Sequence, residues 1–136
     1  MNFNYSYRVV VATLLCLRCA AASGADIYVI TRPDVTLSPE DIRELYLGDK
    51  EFSGGVRLVP VDNQAALSDF VVKALGMNRQ RYSTLWIKKA FRDALNPPAM
   101  KPSDFEVVEF VKRTRGAVGY VASPPGNKEI VIVEKF

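Results

Sequence analysis

The chain has 136 residues, 49% hydrophobic and 24% charged, which excludes disordered and collagen-like sequence and leaves length for one domain. It contains no histidine, so imidazole acid/base chemistry, His-based triads and His-ligated metal sites are excluded. Lys and Arg total 18 against 15 Asp and Glu, and a net charge of +3 is too small to predict a nucleic-acid binder.

Residues 1–25 read as a secretory signal peptide. The start carries Arg8 and no acid, Val9 to Leu17 is apolar, and Ala20 to Ala25 are small, with Ser23 and Ala25 suited to a cleavage site. The run is shorter than the roughly 20 apolar residues of a spanning helix, so no stable membrane insertion is expected after cleavage. An uncleaved interfacial anchor is the alternative. Cys16 and Cys19 both fall in this segment, and neither has the small residues before it that lipidation needs. Cleavage would remove Arg8 and Arg18 and no acid, leaving 16 basic and 15 acidic residues in a cysteine-free domain over 26–136. The expected location is the periplasm.

Asp26 to Thr31 is β-branched and apolar, a short strand. Ser38 is placed to cap a helix with Pro39 at its first position and Asp41 completing a capping box. Leu37 and Ile42 fall at the hydrophobic-staple positions. Ile42, Leu45 and Tyr46 share one face, and Gly48 ends the helix. Ser53, Gly54 and Gly55 predict a turn, and Val56 to Val61 a strand closed by Pro60 and Asp62. A second helix is expected from about Gln64 to Leu75, stopped by Gly76. Asn78 caps a third, with Tyr82, Leu85, Trp86 and Ala90 on its inner face. Asn96, Pro97, Pro98 and Pro102 predict a stiff, extended connection. Ser103 and Glu106 form a second capping box before a helix with Val107, Phe110 and Val111 inward, closed by Gly116. Ala117 to Val121 and Glu129 to Val133 are the last two strands, joined by a turn over Pro124 to Asn127. Strands separated by helices predict an α/β fold with part of its sheet parallel.

Catalytic constellations are sparse. Ser68 and Ser123 have no histidine to activate them. Glu40, Asp41 and Glu44 suit the dipole of a helix start. No Gly-rich phosphate loop, metal-ligand cluster or cofactor motif is present, so no cofactor is expected. Arg79, Arg81, Lys88, Lys89 and Arg92 decorate the third helix, and Lys112, Arg113 and Arg115 the end of the fourth. Each group reads as a solvated face or as a patch for an anion or acidic partner. The more specific site is the strand-to-helix turn. There Asn63, Gln64, Ala65, Ala66, Leu67 and Ser68 would offer helix N-terminal amides to an oxyanion, unless Asp62 or Asn63 simply caps the helix.

The ordered segments Leu37-Ser38-Pro39-Glu40-Asp41-Ile42, Leu45-Tyr46-Leu47-Gly48, Val59-Pro60-Val61-Asp62, Leu75-Gly76, Pro97-Pro98 and Gly116-Ala117-Val118-Gly119-Tyr120-Val121 carry a resemblance. Over about residues 27–122 the chain resembles one lobe of the phosphate-type (type 2) periplasmic solute-binding proteins of ABC transporters. It is especially similar to the short, single-lobe exported proteins grouped with them. The resemblance implies an α/β lobe with a mixed sheet flanked by helices, and a non-enzymatic role as an accessory or sensory module. It also implies weak binding of phosphate or another oxyanion and a membrane-protein partner. The alternative is a genuine oxyanion-binding protein completed by dimerisation. The family carries Ser-Gly-Thr at its phosphate loop. The matching positions here are Ala65, Ala66 and Leu67, which leaves backbone amides and Ser68 as donors.

Overall fold

A computed structural model describes residues 25–136. The expected signal segment, with Cys16 and Cys19, lies outside the described residues apart from Ala25. The described part is a mixed α/β fold, as the alternation of elements predicted. In chain order its elements are β1 (Tyr28–Thr31), α1 (Pro39–Tyr46), β2 (Phe52–Ser53), β3 (Val56–Arg57), β4 (Val59–Asn63) and α2 (Leu67–Leu75). There follow α3 (Arg79–Asp93), β5 (Ala99–Lys101), α4 (Asp104–Arg113), β6 (Ala117–Val121) and β7 (Val131–Lys135).

Five strands form one sheet in the order β5-β4-β6-β1-β7, and β2 and β3 form a small separate hairpin. β4 runs parallel to both β5 and β6, whereas β1 is antiparallel to β6 and β7. The two-residue period of a strand sends alternate side chains to opposite faces. On β6, Val118 and Tyr120 enter the core under α1, α2 and α3, while Ala117 and Val121 enter a second core under α4. The sheet is thus the middle of three layers, and among the described helices α4 alone covers one side.

Local signals build α1 as the sequence predicts. Ser38 Oγ accepts from the Asp41 amide at 3.1 Å and the Asp41 carboxylate accepts from the Ser38 amide at 2.9 Å, a reciprocal capping box. Leu37 and Ile42 are both buried in the main core, where the staple needs them. At the far end the Gly48 amide bonds Leu45 O and the Asp49 amide bonds Glu44 O. That is the Schellman pattern, with Gly48 at φ +78°. Ser38→Ala is expected to cost about 1 kcal/mol. A urea midpoint unchanged from wild type would remove the cap from the list of stabilising contacts.

Several boundaries differ from the sequence expectation. The strand expected over Val56 to Val61 is interrupted at Leu58, and its second part passes through Pro60 to Asn63. Pro60 is tolerated because β5 begins pairing only at Val61, so no ladder bond is lost on that side. The stretch read as an extended connection contains β5 between Pro98 and Pro102. The last strand starts at Val131 rather than Glu129. Ala90 lies exposed on α3, whereas Tyr82 and Trp86 are buried as predicted. The second capping box is not formed. Ser103 is the N-cap residue of α4 by backbone conformation, but its hydroxyl donates to the Glu106 carboxylate instead of accepting a backbone amide.

Candidate functional site

The carboxyl ends of the parallel strands β4, β5 and β6 open at one end of the sheet, where ligands of open α/β sheets bind. Asp62 and Asn63, the last residues of β4, are both buried and point to opposite faces. Asn63 faces α4. Its amide nitrogen donates to Asp104 Oδ1 at 2.7 Å and to Tyr120 O at 3.0 Å, and its Oδ1 accepts the Ala65 amide at 3.1 Å. Asp104, at the start of α4, also accepts from the Ala122 amide at 3.2 Å and the Ser123 amide at 3.1 Å. Three donors at the carboxyl ends of the strands therefore converge on a carboxylate of the chain itself.

The turn that the sequence singled out is also largely committed. The helix expected from about Gln64 begins only at Leu67, because Asn63 holds the chain in a turn first. The Gln64 amide donates to Lys101 O at 2.8 Å and the Ala66 amide to Asn63 O at 3.1 Å. Ala66 and Leu67 are buried, and Gln64, Ala65 and Ser68 are exposed. Of the six residues Asn63 to Ser68, Asn63 is structural and the amides of Gln64, Ala65 and Ala66 are used internally. No side chain caps α2, so Leu67 and Ser68 supply the free first-turn amides.

Asp62 faces the other layer. Its carboxylate accepts Tyr120 Oη at 2.9 Å and Tyr82 Oη at 3.0 Å. Burial pushes Asp62 up to about 6, against the lowering effect of the two phenol donors. Burial and the neighbouring Asp62 charge raise both tyrosines, so they remain protonated donors. Below them Tyr46, Phe70 and Tyr120 pack ring on ring, with Phe70 and Tyr120 stacked at 3.8 Å. Asp62 is the floor of a groove of about 460 Å³ between α3 and β5, walled by Leu67, Tyr82, Trp86, Ile87, Pro98 and Met100. This volume suits a small molecule or inserted side chains.

Sequence reasoning did not find the Asp62–Tyr82–Tyr120 cluster. The available signal was a charged residue directly after the apolar run Val59-Pro60-Val61. The partners lie 20 and 58 residues away, beyond any local pattern. Among the described residues no group of three or more His, Cys, Asp or Glu is placed to hold a metal ion. None of the described helices is long and apolar enough to cross a membrane.

No protein-family model matches this chain, and no curated protein matches it. Among solved structures, it is similar to an ABC-type phosphate transport receptor from Vibrio cholerae, with 15% sequence identity and a TM-score of 0.49. The alignment covers 81% of this chain and 46% of the receptor, so the chain spans about half of that protein's length.

Proposed function

We propose that this chain is an exported, non-catalytic module with a binding-protein-like fold, which works by engaging a protein partner rather than by capturing a free oxyanion. One observation carries the reading: the Asp104 carboxylate takes up three donors at the strand ends that could otherwise serve an oxyanion. It consumes the Asn63 side-chain donor and the Ala122 and Ser123 amides. A second anion there would meet that negative charge. Export rests on the expected signal over residues 1–25.

The oxyanion reading retains one feature, the uncapped start of α2 with Leu67 and Ser68. A single helix terminus contributes about 0.3–1 kcal/mol to an exposed charge. A millimolar dissociation constant already requires about 4 kcal/mol. Calorimetry with inorganic phosphate is therefore expected to give binding no tighter than roughly millimolar. Micromolar binding would overturn the proposal in favour of an oxyanion receptor. Asp104→Ala frees the three donors and removes the charge. It is expected to destabilise the fold by about 1–3 kcal/mol, the usual cost of orphaned buried donors, and to strengthen phosphate binding. Unchanged phosphate affinity in a folded Asp104→Ala protein would show that the strand ends are no anion position.

A further inference from the structure

We propose that the groove over Asp62 is a binding site for a small organic cation, a protonated amine carried on an apolar body. The site lies across the sheet from Asp104, so it goes beyond the partner-binding reading and does not depend on it.

The carboxylate on the floor is a buried charge without a counter-charge. Asp62 is 3% exposed, and among the described residues no Lys or Arg pairs with it. Its side chain is held by the hydroxyls of Tyr82 and Tyr120, both of them neutral. Buried carboxylates are ordinarily paired with a cation or bound to a metal, because neutral donors leave the charge uncancelled. The rise of its carboxyl to about 6 is the mark of that unbalanced burial. Its oxygens also keep room for a donor. The tyrosines make contacts of 2.9, 3.0 and 3.3 Å, against the roughly four acceptor positions of a carboxylate.

The walls select the kind of cation. Asp62 is the one carboxylate on the groove, whereas a hard metal ion needs several oxygen ligands. The rest of the lining is mostly apolar or aromatic, which suits carbon around a single charged nitrogen. Tyr82 and Trp86 lie beside the carboxylate, and aromatic rings attract an ammonium group as well as apolar carbon. Both side chains are fixed in advance. The Trp86 indole N–H donates to Tyr46 O at 3.2 Å, and the Tyr82 hydroxyl donates to Asp62. A preformed wall spares the ligand the cost of ordering it. Ile87 and Met100 carry the apolar lining out to the surface, where both are exposed. Arg79 is the one cation on the groove; it is exposed and forms no ion pair with Asp62. Its charge opposes a second positive group, so the site fits a monocation.

The test uses the whole protein and three probes of one shape: phenethylamine, phenethyl alcohol and hydrocinnamate. Calorimetry in an amine-free buffer at neutral pH is expected to show phenethylamine binding with a dissociation constant on the order of 0.1 mM. The neutral alcohol and the anionic hydrocinnamate should bind at least about tenfold more weakly. Asp62→Asn should weaken the amine at least about tenfold and leave the alcohol within about twofold, a split that loss of structure alone would not produce. Ala90→Lys places a tethered ammonium in the groove from an exposed helical position and leaves the Asp62 contacts intact. It should weaken the amine at least about tenfold, while Ala90→Ser stays within about twofold. Circular dichroism and thermal midpoints establish that each variant is folded, and Ala90→Lys decides the point if Asp62→Asn is not. Absence of amine binding to the wild type overturns the assignment, as does equal or tighter binding of the alcohol or hydrocinnamate. Unchanged amine binding by Ala90→Lys does the same. Arg79→Gln should not weaken the amine; a tenfold loss there would place the recognised group at Arg79 instead of Asp62 and overturn it too.

Discussion

Gly116→Ala is expected to destabilise the protein by about 3–5 kcal/mol, the range of severe single substitutions. Gly116 sits at φ +78°, where a side chain costs about 1–2 kcal/mol. The larger effect is steric. A Cβ at this position would lie 2.0 Å from the carbonyl oxygen of Arg57. The obstacle is backbone and cannot rotate away. Nor can the two segments slide apart, because the Val59 amide donates to Gly116 O at 2.8 Å and so joins the start of β4 to β6. Gly76→Ala supplies the comparison. Gly76 also has a positive φ, +65°, but nothing lies within 4 Å of the added atom. Its cost should stay near 1–2 kcal/mol, the conformational part alone. Urea unfolding of the two variants separates strain from overlap. Similar losses for both would mean that the β4–β6 junction yields easily.

What was legible in the sequence was what neighbours in the chain decide. Ser38, Pro39 and Asp41 specify a helix start within four residues, and Gly48 specifies its end. The same rule explains the failures. β5 has only three residues between prolines, too few to show alternation, and becomes a strand because β4 offers it an edge. Pro60 reads as a strand end, yet its missing N–H costs nothing on the β5 side, where pairing begins only at Val61. Asn63 reads as a helix cap or an anion donor. It instead bonds Asp104, 41 residues on, and Tyr120 O, 57 residues on. Those two contacts commit the Asn63 side-chain amide to the fold, and neither is visible in a local window. The cationic face of α3 was legible as a pattern. The fold sets most of it, Arg81, Lys88, Lys89 and Arg92, along a depression on the far side of α3 from the Asp62 groove, a placement no local window shows.

Between pH 4 and 6 the stability of this protein is expected to fall as pH rises, opposite to the usual acid side of a stability profile. Asp62 is the cause. In the unfolded chain its carboxyl titrates near 3.8, and in the folded chain near 6. Within that window the folded state holds a proton that the unfolded state has lost, so raising the pH favours unfolding. The full effect is present below 3.8 and is lost by about pH 6. Two pH units correspond to roughly 3 kcal/mol. Asp41 works in the opposite direction, because its lowered value adds stability above the ordinary carboxylate range and loses it in more acid solution. That contribution lies below the Asp62 window. Asp62→Asn keeps an acceptor for the tyrosine hydroxyls and cannot ionise. The variant should therefore show a flatter profile from pH 4 to 6 and should lose less stability than wild type on reaching pH 7. Asp62→Ala removes the acceptor for two buried hydroxyls and opens a cavity, and should be destabilised at every pH. Chemical denaturation of wild type and Asp62→Asn across this range decides the point. Parallel profiles for the two would assign the pH dependence to other groups and leave Asp62 an ordinary carboxylate.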